Sequence, residues 1–215
     1  MEKEFLNEPL SSLIHFIGAL LSIAALIVLI ALAATKGTAW HVVGFSIFGA
    51  GLILLYSASA LFHFFNISTK AKRVFGRIDH SMIFVLIAAT YTPICLTILR
   101  GIWGWSILGV VWAIAATGIS LKSSGVMMNK WLSTSIFIGM GWIMLIATYP
   151  LLKVISFQGF LWLLIGGISY TIGAAFYVLG EKMPRKRMFD YHEIFHLFVL
   201  AGSICHFWFM IHYLF

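Results

Sequence analysis

The sequence predicts an all-α polytopic membrane protein with seven transmembrane helices, on three observations. Hydrophobic residues make up 61% of the chain and charged residues 10%, well away from the roughly 45–50% apolar share of soluble domains. The apolar residues gather into runs of about 20, the length that crosses a hydrocarbon layer of about 30 Å. None of the runs alternates strictly as a membrane barrel does, which leaves helices as the way to satisfy every backbone group within lipid.

Seven runs fall at about 10–34, 40–65, 79–99, 102–121, 131–150, 158–179 and 191–215. They consume the chain, so residues 1–215 read as one domain. The first run, Leu10 to Ala34, exceeds the roughly 7–15-residue core of a secretory signal, and Glu2, Glu4 and Glu8 outnumber Lys3 ahead of it. It is read as a transmembrane helix, with Glu8 and His15 bracketing its start. The second run opens at Trp40 and gives out at Asn66, just past Ser59 and His63. The third opens at Asp79 and carries Pro93, which is expected to bend it. Trp103 and Trp105 begin the fourth and Trp131 the fifth, and with Trp40 they fit an interfacial aromatic belt. The sixth ends before the basic segment Lys182 to Arg187, and the seventh opens with His192 and His196. Glycine never recurs at a four-residue spacing, so the strict dimerisation pattern is absent. Cys95 and Cys205 lie inside apolar runs, which speaks against a disulfide framework.

Orientation follows from the basic residues. Eleven of the 14 lie in the N-terminal tail and the second, fourth and sixth loops, and only Lys36, Arg100 and Lys153 fall on the other side. The N-terminus is therefore expected in the cytoplasm, the C-terminus outside, and the location is a cell membrane. The net charge of +7 is accounted for by topology and needs no nucleic-acid partner.

His63, Asp79, His192 and His196 all fall at helix ends on the cytoplasmic side. A charged group in a span costs about 2.5–3.5 kcal/mol even on insertion scales, so it is seldom kept without a partner. His192 and His196 are one turn apart, about 40° around the helix and about 6 Å along it, so both imidazoles can grip one ion. Three imidazoles with a position left for water form the ligand set of a catalytic zinc, which supplies hydroxide near neutral pH for attack on an ester or amide carbonyl. Asp79 either joins the ligands or holds and deprotonates the attacking water, and Ser59, one turn before His63, is placed to support the site or stabilise an oxyanion.

The remaining histidines are expected in lesser roles: His80 in support or packing, His206 in a buried hydrogen bond to another helix, His41 and His212 solvated near the outer face, and His15 as a possible support of the site. His192-Glu193-Ile194-Phe195-His196 spells the zincin signature, whose glutamate is a general base. Such proteases find a third ligand downstream, whereas the 19 residues after His196 contain no acid. The third ligand is therefore sought upstream, and Glu193 is left either near the site or at the helix N-terminus, where an acid is favoured.

Ser59-Ala60-Leu61-Phe62-His63, Asp79-His80-Ser81, Tyr91-Thr92-Pro93 and His192-Glu193-Ile194-Phe195-His196, in this order, resemble the bacterial haemolysin III branch of the progestin and adiponectin receptor family. The resemblance implies seven helices with the N-terminus inside, zinc on His63, His192 and His196, and Asp79 and Ser59 acting beside it. The family's first-helix motif, an acid followed by Asn and then Thr-His, is matched loosely by Glu8 to His15, with Ser11 and Ile14 in place of the Asn and Thr. Adiponectin receptors look like zinc-dependent lipid amidases of the ceramidase type, while the bacterial branch is named for red-cell lysis and tied to membrane lipid homeostasis. The expectation is a zinc hydrolase of a membrane lipid, with a non-catalytic lipid regulator and a lytic protein as the alternatives.

Overall fold

The computed structural model describes residues 8–124, 129–180, 183 and 189–215. Among them the chain forms no strand. It runs through α1 (Pro9–Lys36), α2 (Ala39–Phe64), α3 (Thr69–Leu96), α4 (Ile102–Ser123), α5 (Lys130–Gly141), a 3-10 segment (Ile143–Ala147), α6 (Thr148–Leu152), α7 (Phe157–Leu179) and α8 (Tyr191–Tyr213). With Lys130–Leu152 taken as one interrupted span, seven helices among the described residues are long and apolar enough to cross a membrane.

Neighbours in sequence pack together along α1, α2, α3 and α4, α7 lies against α8, and α8 returns to α1. The polarity of α1 is turned inside out relative to a soluble helix. It buries Ser11, Ser12, His15, Gly18 and Ser22 and exposes Leu13, Phe16, Leu20 and Ile27. Lipid is as apolar as leucine, so small and polar groups gain more by meeting other helices than by facing hydrocarbon. Ser12 accordingly donates to the Ala60 carbonyl of α2 at 3.0 Å. Close approach recurs where α2 meets α3: a Cβ on Gly44 would lie 2.7 Å from Cα of Pro93. Past α3, Gly101 has φ +144°, a conformation that favours glycine and turns the chain into α4. Trp40, Trp103, Trp105 and Trp131 are exposed, with Arg100 lying over the Trp40 ring at 5.3 Å.

Two expected spans differ. The third helix begins at Thr69 rather than near 79, so Asp79 sits well inside it. The segment Thr69 to Arg77 is too polar to register as apolar, yet Ser68 caps it by accepting from the Ala71 amide. The fifth span is broken after Gly141. There the Tyr91 hydroxyl faces the carbonyls of Met140 and Gly141 at 2.9 and 2.6 Å and accepts from the Met144 amide at 3.0 Å, replacing lost helical partners. Both cysteines are free, and α3 continues through Pro93 to Leu96.

Candidate metal centre

The last turn of α2 and the first two turns of α8 bring three imidazoles together. Candidate ligand atoms of His63, His192 and His196 all lie within 4.8 Å of one another, and this group could hold a metal ion. Local caps fix where each helix offers its histidines. Asp190 accepts from the His192 amide at 2.7 Å while Glu193 Oε2 accepts from the Asp190 amide at 2.9 Å, a reciprocal capping box that starts α8. At the end of α2, Lys72 Nζ donates to the carbonyls of Phe62 and Phe65 at 2.5 and 3.1 Å, satisfying groups the helix leaves open.

The outward-facing nitrogens are held by oxygen acceptors. His63 Nδ1 lies 2.8 Å from Glu8 Oε2, and His196 Nδ1 lies 3.3 Å from the Ser11 carbonyl oxygen. A proton on Nδ1 in both rings satisfies these acceptors and leaves each Nε2 lone pair free, the pattern that orients metal-ligating histidines. His63 Nε2 and His192 Nε2 stand 3.3 Å apart. Two nitrogens bound tetrahedrally to one zinc at about 2.0–2.1 Å would be about 3.3–3.4 Å apart, so the spacing and the donor set fit that ion.

His15 is buried and stacks face to face on His196, with ring centroids 3.7 Å apart and planes at 9°. It also makes a T-shaped contact with Tyr56, with ring centroids 5.0 Å apart. Neither ring nitrogen of His15 has a hydrogen-bond partner among the described residues. The ring holds His196 by contact of its face.

Asp79 and Ser59 line the same cavity as the three histidines, but Asp79 stands outside the group whose ligand atoms converge. It is near enough to act electrostatically on His192 and on Lys122, whose Nζ donates to Ser133. Glu193 is committed elsewhere: Ser11 Oγ donates to its Oε1 at 2.7 Å, and its Oε2 serves the cap. His80 contacts the Gly76 carbonyl at 2.6 Å and the Tyr177 hydroxyl at 2.7 Å. One expectation is corrected. His41 is not simply solvated, because its Nε2 lies 2.7 Å from the Leu214 carbonyl and Phe215 stacks on its ring. His206 Nδ1 has no hydrogen-bond partner among the described residues.

Glu8 is the residue that sequence reasoning undervalued. Its signal was present, an acid immediately before a proline that opens an apolar helix. What it would face was set by folding. The Pro9 ring starts α1 at a position where its missing amide costs nothing, and this leaves Glu8 at the mouth of the bundle beside His63 and 3.6 Å from His192 Nε2.

Glu8 and the three histidines line one end of a cavity of about 730 Å³. It follows one face of α7, from Tyr177 through Tyr170 to Phe160, and is bounded also by α3, α5 and α8. The walls are chiefly apolar and aromatic, as in ligand chambers generally.

The chain matches the family described as haemolysin-III related over residues 3–207. It is 43% identical over 207 residues to the "Hemolysin-3 homolog" of Bacillus subtilis (strain 168), an alignment covering 96% of this chain and 94% of that relative. Against the "Hemolysin-3" of Bacillus cereus it is likewise 43% identical, over 211 residues, 98% of this chain and 93% of the other. With seven apolar helices and a match that runs almost from end to end, the chain belongs to the haemolysin-III related family.

Proposed function

We propose that this protein is a multi-pass membrane hydrolase that uses zinc to cleave an amide or ester bond of a membrane lipid, with its site towards the cytoplasm. The observation that carries the reading is the convergence of His63, His192 and His196 in the wall of a largely apolar cavity of about 730 Å³. A metal at one end and a greasy chamber beside it suit a substrate with a polar head and a long tail.

In this reading His63, His192 and His196 hold the ion through Nε2, with Glu8 and the Ser11 carbonyl fixing the rings of His63 and His196. When bound, zinc lowers the pKa of water to about 7 and polarises a carbonyl. The Asp79 carboxylate takes the proton of the attacking water and returns it to the leaving group. Ser59, buried one turn before His63, donates its hydroxyl hydrogen to the carbonyl oxygen as charge develops there. The aromatic and aliphatic walls exclude bulk water and orient the tail.

The deciding experiment compares lipid profiles of membranes containing the wild-type protein with those containing His192→Ala, together with the zinc content of both purified proteins. A lipid whose cleavage products appear only with the wild type supports the proposal; identical profiles, or wild type without about one zinc per chain, refute it. A second reading, a non-catalytic regulator of membrane lipids with zinc as a clasp, is favoured by one feature. The ion's ligands come from α2 and α8, and Glu8, just before α1, and Ser11 of α1 join them at the same place, so binding would staple three helices. Loss of thermal stability on chelation with no lipid product under any condition would select it. The lytic reading rests on the names of the relatives, and lysis by purified protein that survives replacement of all three histidines would select that one.

A further inference from the structure

We propose that His206 and Tyr170, deep in the cavity, form a second polar subsite that recognises a hydroxyl group carried midway along a lipid acyl chain. The inference rests on the reading of the cavity as the chamber of a lipid tail.

Both side chains line the cavity. His206 lies ten residues beyond His196 on α8, about 15 Å further along the axis. Most polar groups at this depth are explained by helix packing. Tyr56 OH donates to Ser203 Oγ at 2.7 Å, and the hydroxyls of Tyr170 and Ser203 share a bond of 2.9 Å, a hub that joins α2, α7 and α8. His206 is the group that packing leaves over. It is 8% exposed, its ring stacks on Tyr170 with centroids 5.5 Å apart, and its Nδ1 has no hydrogen-bond partner among the described residues. An ionisable side chain kept within a span with a buried ring nitrogen unpartnered points to a functional role.

The space is built by glycine. A Cβ on Gly166 would lie 2.7 Å from His206 Nε2, and a Cβ on Gly202 would lie 2.7 Å from the Tyr170 ring. Both rings thus lie where any larger residue would displace them.

The chemistry of the group selects the ligand. A neutral imidazole offers one donor and one acceptor, which a hydroxyl matches in both senses, whereas a methylene chain offers neither. A carboxylate or phosphate at this depth would need a cation. The lysines among the described lining residues are Lys72 and Lys130, both in the first turn of helices that start at the other end of the cavity. With the lipid head at the three histidines, a separation of about 15 Å falls partway down the tail.

The test uses full-length protein in nanodiscs loaded with a fluorescent polyene fatty acid, displaced by octadecanoic, 2-hydroxyoctadecanoic or 12-hydroxyoctadecanoic acid. The 12-hydroxy acid is expected to displace the probe at about three- to tenfold lower concentration than octadecanoic acid, the worth of one net hydrogen bond, and the 2-hydroxy acid is expected to show no such gain. His206→Phe, which retains a ring to stack on Tyr170, should bring the ratio to one. Gly166→Ala, which crowds Nε2 without touching the Ser203 hub, should reduce it. Displacement by octadecanoic acid shows in each case that the variant is folded. Equal displacement by the substituted and plain chains in wild type, or a preference that persists in both variants, overturns the subsite. Failure of all three acids to displace the probe overturns the lipid chamber itself, and the subsite with it.

Discussion

Ser11 donates its hydroxyl hydrogen to Glu193 across 2.7 Å, joining residues 182 positions apart and occupying the one acid within the His192-Glu193-Ile194-Phe195-His196 segment. The other oxygen of Glu193 caps α8. The carboxylate therefore acts as a structural tie between α1 and α8. The zincin spelling arises from helix-start chemistry, in which an acid three residues after an N-cap bonds back to it.

Glu193→Ala should consequently lower stability by about 1–3 kcal/mol, the cost of leaving buried partners unsatisfied, while zinc content stays at the wild-type level. Thermal unfolding and metal analysis of the purified variant check this. A variant that unfolds like wild type yet has lost all lipid turnover would show Glu193 to be the base instead.

Glu8 is expected to govern metal affinity from outside the ligand set. Its Oε2 lies 2.8 Å from His63 Nδ1, and partners of this kind are worth about 10–100-fold in affinity. Glu8→Gln should weaken zinc binding by that factor in a competition with a chromogenic chelator. Affinity equal to wild type would leave the carboxylate with no part in orienting His63.

Asp79 is where metal binding and chemistry are expected to part. Because it stands outside the group of converging ligand atoms, Asp79→Asn should retain zinc while lipid turnover falls by about 10²–10⁴-fold, the usual contribution of a general base. Metal content and product formation measured on one preparation decide it, and loss of the zinc itself would move Asp79 into the ligand set.

Gly44 tests the packing of α2 on α3. A methyl there would lie 2.7 Å from the backbone of Pro93, which cannot rotate aside. Gly44→Ala should therefore destabilise the protein by about 1–3 kcal/mol, as overpacking does. Gly109→Ala, whose added Cβ meets nothing within 4 Å, is the control. Equal unfolding temperatures for the two variants would refute the close approach.

Much of this protein was legible in the chain. Apolar run length alone gave seven spans, because lipid leaves the backbone no other open-chain solution. It misplaced the start of α3, where Thr69 to Arg77 is helical but polar, and it missed the break after Gly141, which depends on a hydroxyl from Tyr91 fifty residues away. The pairing of His192 with His196 was equally plain, since helical period fixes which side chains share a face.

What no periodicity carries is the company each polar group keeps. Glu8 against His63, Ser11 on Glu193, His15 stacked on His196 and His206 left over beside Tyr170 are encounters between segments far apart in sequence. Local sequence sets where a side chain points on its own helix. Which neighbour it meets is decided by how the helices pack, and in hydrocarbon that packing is driven by burying these same polar and small groups.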